Sequence, residues 1–337
     1  MTTRVFLANA MKLGAGILVA LALGAAHAEP AGADPGRIGL PEANAALQAG
    51  QADAAMSILA SLPPPAANSA EAHNLRCRVL FTLEQWDAAA GQCQEAANMN
   101  GQNSVYQLWL GRALGEQADN APFWTAYNLA KRARAAFELS VQIDARNPEA
   151  LADLGEFYSE APGVVGGGTS KAESIAARLD RIDPARAHEL RSGIAQEAHD
   201  YGTAEREMRE AVAVSPHPAF QWMRLASFYR KMKRFSDMEN AVRMGSTAAD
   251  RDHHAGVALF NGASVLMKAG RNPALAIKLL QDYLASPAQT EEAPAFVAHL
   301  WLARLQKQAG DSGAAARERS AALGLASNYK PAQDLKL

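Results

Sequence analysis

The 337-residue chain has two cysteines, 7% aromatic residues and no marked excess of charge, its formal net charge being -2. Two cysteines cannot supply a four-ligand zinc cluster or a disulfide-stapled fold. A near-neutral balance offers no basic field for nucleic acid and no polybasic signal for a membrane surface. Runs of alternating β-branched residues, the mark of strands, are nearly missing. After the N-terminal segment, no apolar run approaches the length of about 18 residues that a membrane-spanning helix needs. There is no H-E-x-x-H, no G-x-S-x-G and no C-x-x-C, so zinc-protease, serine-hydrolase and dithiol-redox chemistry have nothing to stand on. What the chain does have is alanine and other helix formers, with 49% hydrophobic residues, enough for a large core and too many for disorder.

The start of the chain reads as an address. Arg4 and Lys12 precede an uncharged apolar stretch from Leu13 to Ala25, and Ala26-His27-Ala28 is a small-x-small cleavage pattern. This is the layout of a secretory signal peptide over residues 1–28, cut after Ala28, and it predicts an exported, periplasmic protein. Its removal takes away Arg4 and Lys12 and moves the balance from -2 to -4, still near neutral.

Internal spacing points to the fold. Leu151-x-x-Leu154-Gly155-x-x-Tyr158 is followed by Ala172 and then Asp183-Pro184. Trp222-x-x-Leu225-Ala226-x-x-Tyr229 repeats the frame, and Leu110-Gly111 and Leu302-Ala303 carry parts of it. Ala204 to its counterpart Met238 spans 34 residues. A small residue one turn from a large one lets a neighbouring helix come close, and apolar residues three and four apart make one buried stripe. Proline at the end of each unit is expected to stop the second helix.

These residues resemble the tetratricopeptide repeat (TPR) family, whose unit is a W-x-x-L-G-x-x-Y helix, an alanine-bearing helix and a proline, about every 34 residues. The resemblance implies an all-α, right-handed superhelical solenoid of about eight helical hairpins over residues 29–337, acting as a protein- or peptide-binding scaffold without catalysis or cofactor. Ser192, Cys77 and Met238 depart from the family pattern at its small positions.

Two neighbouring units are longer than the rest. Tyr229 to Met238 covers nine residues, Leu114 to Ala133 nineteen and Tyr158 to Ala172 fourteen. The insertions fall near 116–128 and 160–169, and equivalent turns of a stacked array lie on one edge. The first holds Phe123-Trp124, and the second holds Pro162 and the run Gly166-Gly167-Gly168. The second has glycine spacing like a phosphate loop, but Thr169 stands where the lysine must be, Lys171 comes two residues late and no strand precedes it. Ser170-x-x-Glu173 reads instead as a capping box that starts a helix.

In the family, the first helix of each unit lines the concave groove. Carried over residue by residue, the partner-binding set is Asn74, Arg78, Arg112, Glu156, Met223, Ser227, Arg230, Phe260, Ser264 and Arg304. The closely placed lysine-asparagine clamp of chaperone-binding relatives is absent. A rival reading is a small-ligand helper of envelope transport, its pocket under the insertions lined by Trp109, Phe123, Trp124 and Tyr127. An enzyme of unknown type is the remote alternative. By the repeat frame Cys77 and Cys93 face each other, leaving either a disulfide or two buried thiols. The adjacent pair His253-His254 diverges by about 100° on a helix, which disfavours shared metal binding. No metal or cofactor is expected, and His73, His188 and His299 are assigned to packing or surface roles.

Overall fold

The protein is described by a computed structural model over residues 39–337. The signal-peptide reading of residues 1–28 lies outside the described residues. Among the described residues every regular element is helical. The chain divides into two compact units.

The first unit covers residues 86–221. Its helices are α5 (Trp86–Met99), α6 (Ser104–Asp119), α7 (Phe123–Ile143), α8 (Pro148–Glu160), α9 (Thr169–Leu179), α10 (Pro184–Glu197) and α11 (Tyr201–Val214). The second unit covers 39–85 and 222–337. It contains α1 (Leu40–Gln48), α2 (Ala52–Ser61), the single turn α3 (Pro64–Ala67) and α4 (Ala70–Thr82). It continues through α12 (Pro218–Lys231), whose first turn falls in the first unit, to α13 (Phe235–Ala249), α14 (Gly256–Ala269), α15 (Pro273–Ala285), α16 (Ala295–Gln308), α17 (Ser312–Leu325) and α18 (Lys330–Gln333).

Short polar side chains start many of these helices. Asn103 accepts from the amides of Val105 and Tyr106, and Asn147 from those of Glu149 and Ala150. Proline does more than end a helix: Pro148, Pro184 and Pro273 stand in the first turn of the helix that follows. At that place the missing amide hydrogen costs nothing. Asp183 caps α10 by accepting from the Arg186 amide, so the Asp183-Pro184 pair belongs to the next unit's start.

In the first unit, α6 packs on α7, α8 on α9 and α10 on α11 as antiparallel hairpins. The small residues of the repeat are where helices touch. A Cβ at Gly111 would stand 2.5 Å from Phe137 Cδ1, and one at Gly155 would overlap Leu190 Cδ2. The ten extra residues of the first insertion are absorbed into long helices, α7 running for 21 residues, with a short break at Asn120-Ala121-Pro122.

In the second unit the first described helices share a core with the last. Leu40, Leu47, Leu59 and Val79 pack in one cluster with Phe296, Leu300 and Tyr329. Polar groups match across the same seam. Arg78 Nε donates to both oxygens of Glu291 at 3.1 and 2.9 Å, Arg78 Nη2 to Asn44 at 3.1 Å, and Gln48 to Glu291 at 3.0 Å. Tyr329 donates to Glu84 at 2.8 Å. Two histidines hold hairpins at one register: His188 meets Glu207 at 2.8 Å and His299 meets Glu318 at 2.7 Å, each pair 19 residues apart.

Gly111→Val inserts a branched side chain against the buried Phe137 ring. It is expected to lower unfolding free energy in urea by about 1–3 kcal/mol, the usual cost of overpacking, while far-ultraviolet circular dichroism stays helical. An unchanged midpoint would refute the close approach.

Candidate functional site

The first unit carries an open groove of about 700 Å³ between α7, α8 and α9. One face of α7 forms a wall through Glu138, Val141 and Gln142, continued by Ala145 in the turn that follows. The facing wall is α9, through Lys171, Ser174, Ile175 and Arg178, again one helical stripe. Leu154 and Tyr158 of α8, one turn apart, make the floor. The groove is therefore apolar at Leu154 on its floor and Ile175 on its wall, with polar groups around them.

Tyr158, Lys171 and Arg178 are each held by a neighbour. Tyr158 donates to Glu138 Oε1 at 2.8 Å, and Arg134 lies 3.4 Å from the same oxygen. Burial first, and then that carboxylate, push the Tyr158 phenol well above its ordinary value, so it stays protonated and keeps donating. Lys171 Nζ donates to Gly166 O at 2.8 Å and sits 5.1 Å from the Tyr158 ring centroid. Arg178 Nη2 donates to Ala145 O at 3.1 Å, in the turn just past α7.

The glycine run lies beside this groove, bonded to its residues. Arg134 Nη1 donates to Val165 O at 3.1 Å, and the Gly168 amide donates to Tyr158 O at 2.7 Å. Gly166 has φ +100°, and a Cβ there would overlap the Arg134 guanidinium. A Cβ on Gly167 would overlap the Ala161 carbonyl oxygen. The glycines thus let the loop lie against α7 and α8. The capping box expected at Ser170-x-x-Glu173 does not form: α9 begins at Thr169 with Gly168 as its cap and no side-chain cap bond. Pro162 is half-buried and opens the single 3₁₀ turn Gly163–Val165.

The groove set drawn from the repeat frame is divided by the structure. In the first unit Arg112 is only 5% exposed, lies 2.6 Å from Asp153 and sits over the Trp109 ring, while Glu156 is exposed. In the second unit Arg78 is engaged with Glu291, and Asn74 is buried. Met223 is buried against Gly245 and Gly262, and Phe260 stacks on Trp301 with centroids 4.2 Å apart. These five are corrected from binding to structural roles, because side chains at those positions point at the adjacent helix. Ser227, Arg230 and Ser264 are partly exposed and Arg304 is exposed.

No protein-family model matches the chain, and no curated protein matches it. Solved structures do. A thermophilic TPR protein from Thermus thermophilus has 18% identity and a TM-score of 0.44, over 58% of this chain and 96% of that one. The C-terminal part of a TPR repeat-containing protein from Cytophaga hutchinsonii has 14% identity and a TM-score of 0.40, over 88% of this chain and 100% of that one. Cut9 in the APC/C hetero-tetramer Cut9-Hcn1 has 13% identity and a TM-score of 0.38; the match covers 88% of this chain and 54% of that one. The helical hairpins and their small contact residues agree with the spacing read from the sequence. Among the described residues the fold is an all-α array of helical hairpins.

The four aromatics expected to line a pocket under the insertions stand in different surroundings. Trp109 is buried beneath Arg112, and Tyr127 carries Lys131 over its ring at 5.4 Å. Trp124 is 79% exposed, with Phe123 edge-on at 5.1 Å. None of the four lines the groove. The groove's own cations, Lys171 and Arg178, escape the sequence reading, although their seven-residue spacing around Ser174 and Ile175 is visible there as one helix face. Cys77 and Cys93 are each fully buried, and neither is a free thiol. No group of three metal-ligating side chains converges among the described residues.

Gly167→Ala is expected to push the loop off Ala161. Limited proteolysis between 160 and 169 should then be several-fold faster, with helix content kept. Equal cleavage rates would show that the loop tolerates the methyl group.

Proposed function

We propose that the protein is an exported, non-catalytic scaffold that binds a protein partner, a segment of which lies in the α7–α8–α9 groove. One observation carries the reading: the groove is open, about 700 Å³, and its walls are already fixed by internal hydrogen bonds. A preformed wall saves the ordering cost that otherwise erodes affinity. The apolar surface of Leu154 and Ile175 offers burial, and exposed Ser174 offers a hydrogen bond. Catalysis has little to work with here, since Tyr158 is spent on Glu138 and both groove cations on carbonyls. The same volume suits a small ligand, which keeps the transport-helper reading as the alternative.

Export rests on the charged, apolar and small-x-small layout of residues 1–28. No helix among the described residues is long and apolar enough to cross a membrane.

Ser174 is exposed on the α9 wall, so Ser174→Trp fills the groove without disturbing the core. Affinity capture from the cell envelope should yield a partner with wild-type protein and lose it with the variant. Hydrogen exchange should show that partner protecting residues 138–145 and 170–178. Capture of the same partner by both proteins would place binding elsewhere, and protection by a small molecule alone would favour the alternative.

N-terminal sequencing of the exported protein should begin at Glu29. An uncut chain would overturn the signal-peptide reading.

A further inference from the structure

The second unit contains a pair of cations that the groove just described does not use. Helix α12 packs on α14 through the Met223 side chain, which lies over Gly262: a Cβ on Gly262 would stand 2.9 Å from Met223 Cε and Sδ. Arg230 and Lys268 each lie beyond that contact, in the last turn of their helices. Counted from Pro218 and from Gly256, they occupy the same position in the two helices. The negative end of each helix dipole favours one cation there. It does not explain two side by side.

Three observations mark this place as short of hydrogen-bond acceptors and crowded with positive charge. Arg230 Nε is buried and has no hydrogen-bond partner. Asn261 Nδ2, on the α14 face that also carries Ser264 and Lys268, is buried without a partner as well. Lys268 is exposed as a residue, yet partial desolvation first, and then the Arg230 charge, push its ammonium below its ordinary value. A buried donor left unmade is costly, and like charges brought together are costly too. An acceptor carrying negative charge relieves both.

We propose that Arg230 and Lys268 form a binding site for an oxyanion, a carboxylate or a phosphate group of a ligand, with Asn261 donating to a second acceptor of the same ligand further along α14. Ser227 and Ser264 line the approach from the two helices. The site is independent of the α7–α8–α9 groove and of the partner proposed for it.

The test is thermal unfolding of the full mature protein in inorganic phosphate, in acetate and in chloride at matched ionic strength. Phosphate or acetate should raise Tm above the chloride control, and the response of each tells which oxyanion the site takes. Arg230→Met and Lys268→Met should each weaken the response at least about tenfold, the scale of one charge-assisted hydrogen bond. Without added anion, Lys268→Met should keep a near-wild-type Tm, because Lys268 is exposed and surface substitutions cost little. A purely structural lysine gives the opposite pattern, lower stability and an unchanged anion response. Equal effects of all three salts on wild type, or a wild-type response in both variants, would overturn the proposal.

Discussion

Helices in this protein lie close because certain positions have no side chain to keep them apart. Gly111 faces Phe137, Gly155 faces Leu190 and Ile175, and Gly262 faces the end of Met223. Each contact sets how near two helices come, and that spacing decides what the flanking residues can reach. Gly155 places α8 low between its neighbours, so Leu154 and Tyr158 become a floor and the α7 and α9 faces become walls. Gly262 lets α12 approach α14, so residues two turns onward meet as a pair. Dispersion contacts fall away steeply with distance. A shift of an ångström at a glycine would therefore loosen the packing and widen the recess beside it.

A helical repeat also has an end problem, since each unit leaves a face for the next one to cover. Here the first described helices meet that need from the last ones, through the shared core of Leu40, Leu59, Phe296 and Tyr329. The Arg78–Glu291 pair stands at the same seam. An ion pair this buried adds little net stability over an apolar pair, yet losing one partner leaves a stranded charge, at about 3–5 kcal/mol. Its main consequence is selectivity: only the matching surface supplies Glu291, Gln48 and Asn44 together. The repeat frame assigns Arg78 to partner binding, and the partner turns out to be the protein's own far end.

How much is legible follows from what repeat spacing encodes. A period near 34 residues, with Gly111 and Gly155 at small positions, reports where helices must touch, and those contacts are present. The length differences between units locate the glycine loop and the long α7. Spacing does not report whether a side chain points to solvent or to the adjacent helix. Met223 and Phe260 fit the groove frame and are core; Arg112 fits it as a free cation and is buried beside Asp153. The proline at the end of each unit is read equally well as a stop or a start, and the Asp183 cap makes Pro184 a start. The Ser170–Glu173 motif competes with a loop whose own hydrogen bonds set the entry to α9 at Gly168.

The four cations of the two sites show why hydrogen-bond satisfaction is a better guide to ligand type than charge alone. Lys171 and Arg178 already donate to the carbonyls of Gly166 and Ala145. A ligand in that groove need not supply an anion, because the cations can keep their present acceptors while an apolar group is buried on Leu154 and Ile175. Affinity there should follow buried area more than charge, and it should respond weakly to salt. Arg230 is differently placed, with a buried nitrogen that bonds to nothing in the protein. Whatever fills that slot must accept a hydrogen bond, and a negative charge on it is favoured twice, by Arg230 and by the lysine whose charge is otherwise disfavoured. Binding there should weaken as salt rises. The two recesses therefore ask for opposite chemistries, one governed by shape and apolar surface, the other by a single charged acceptor.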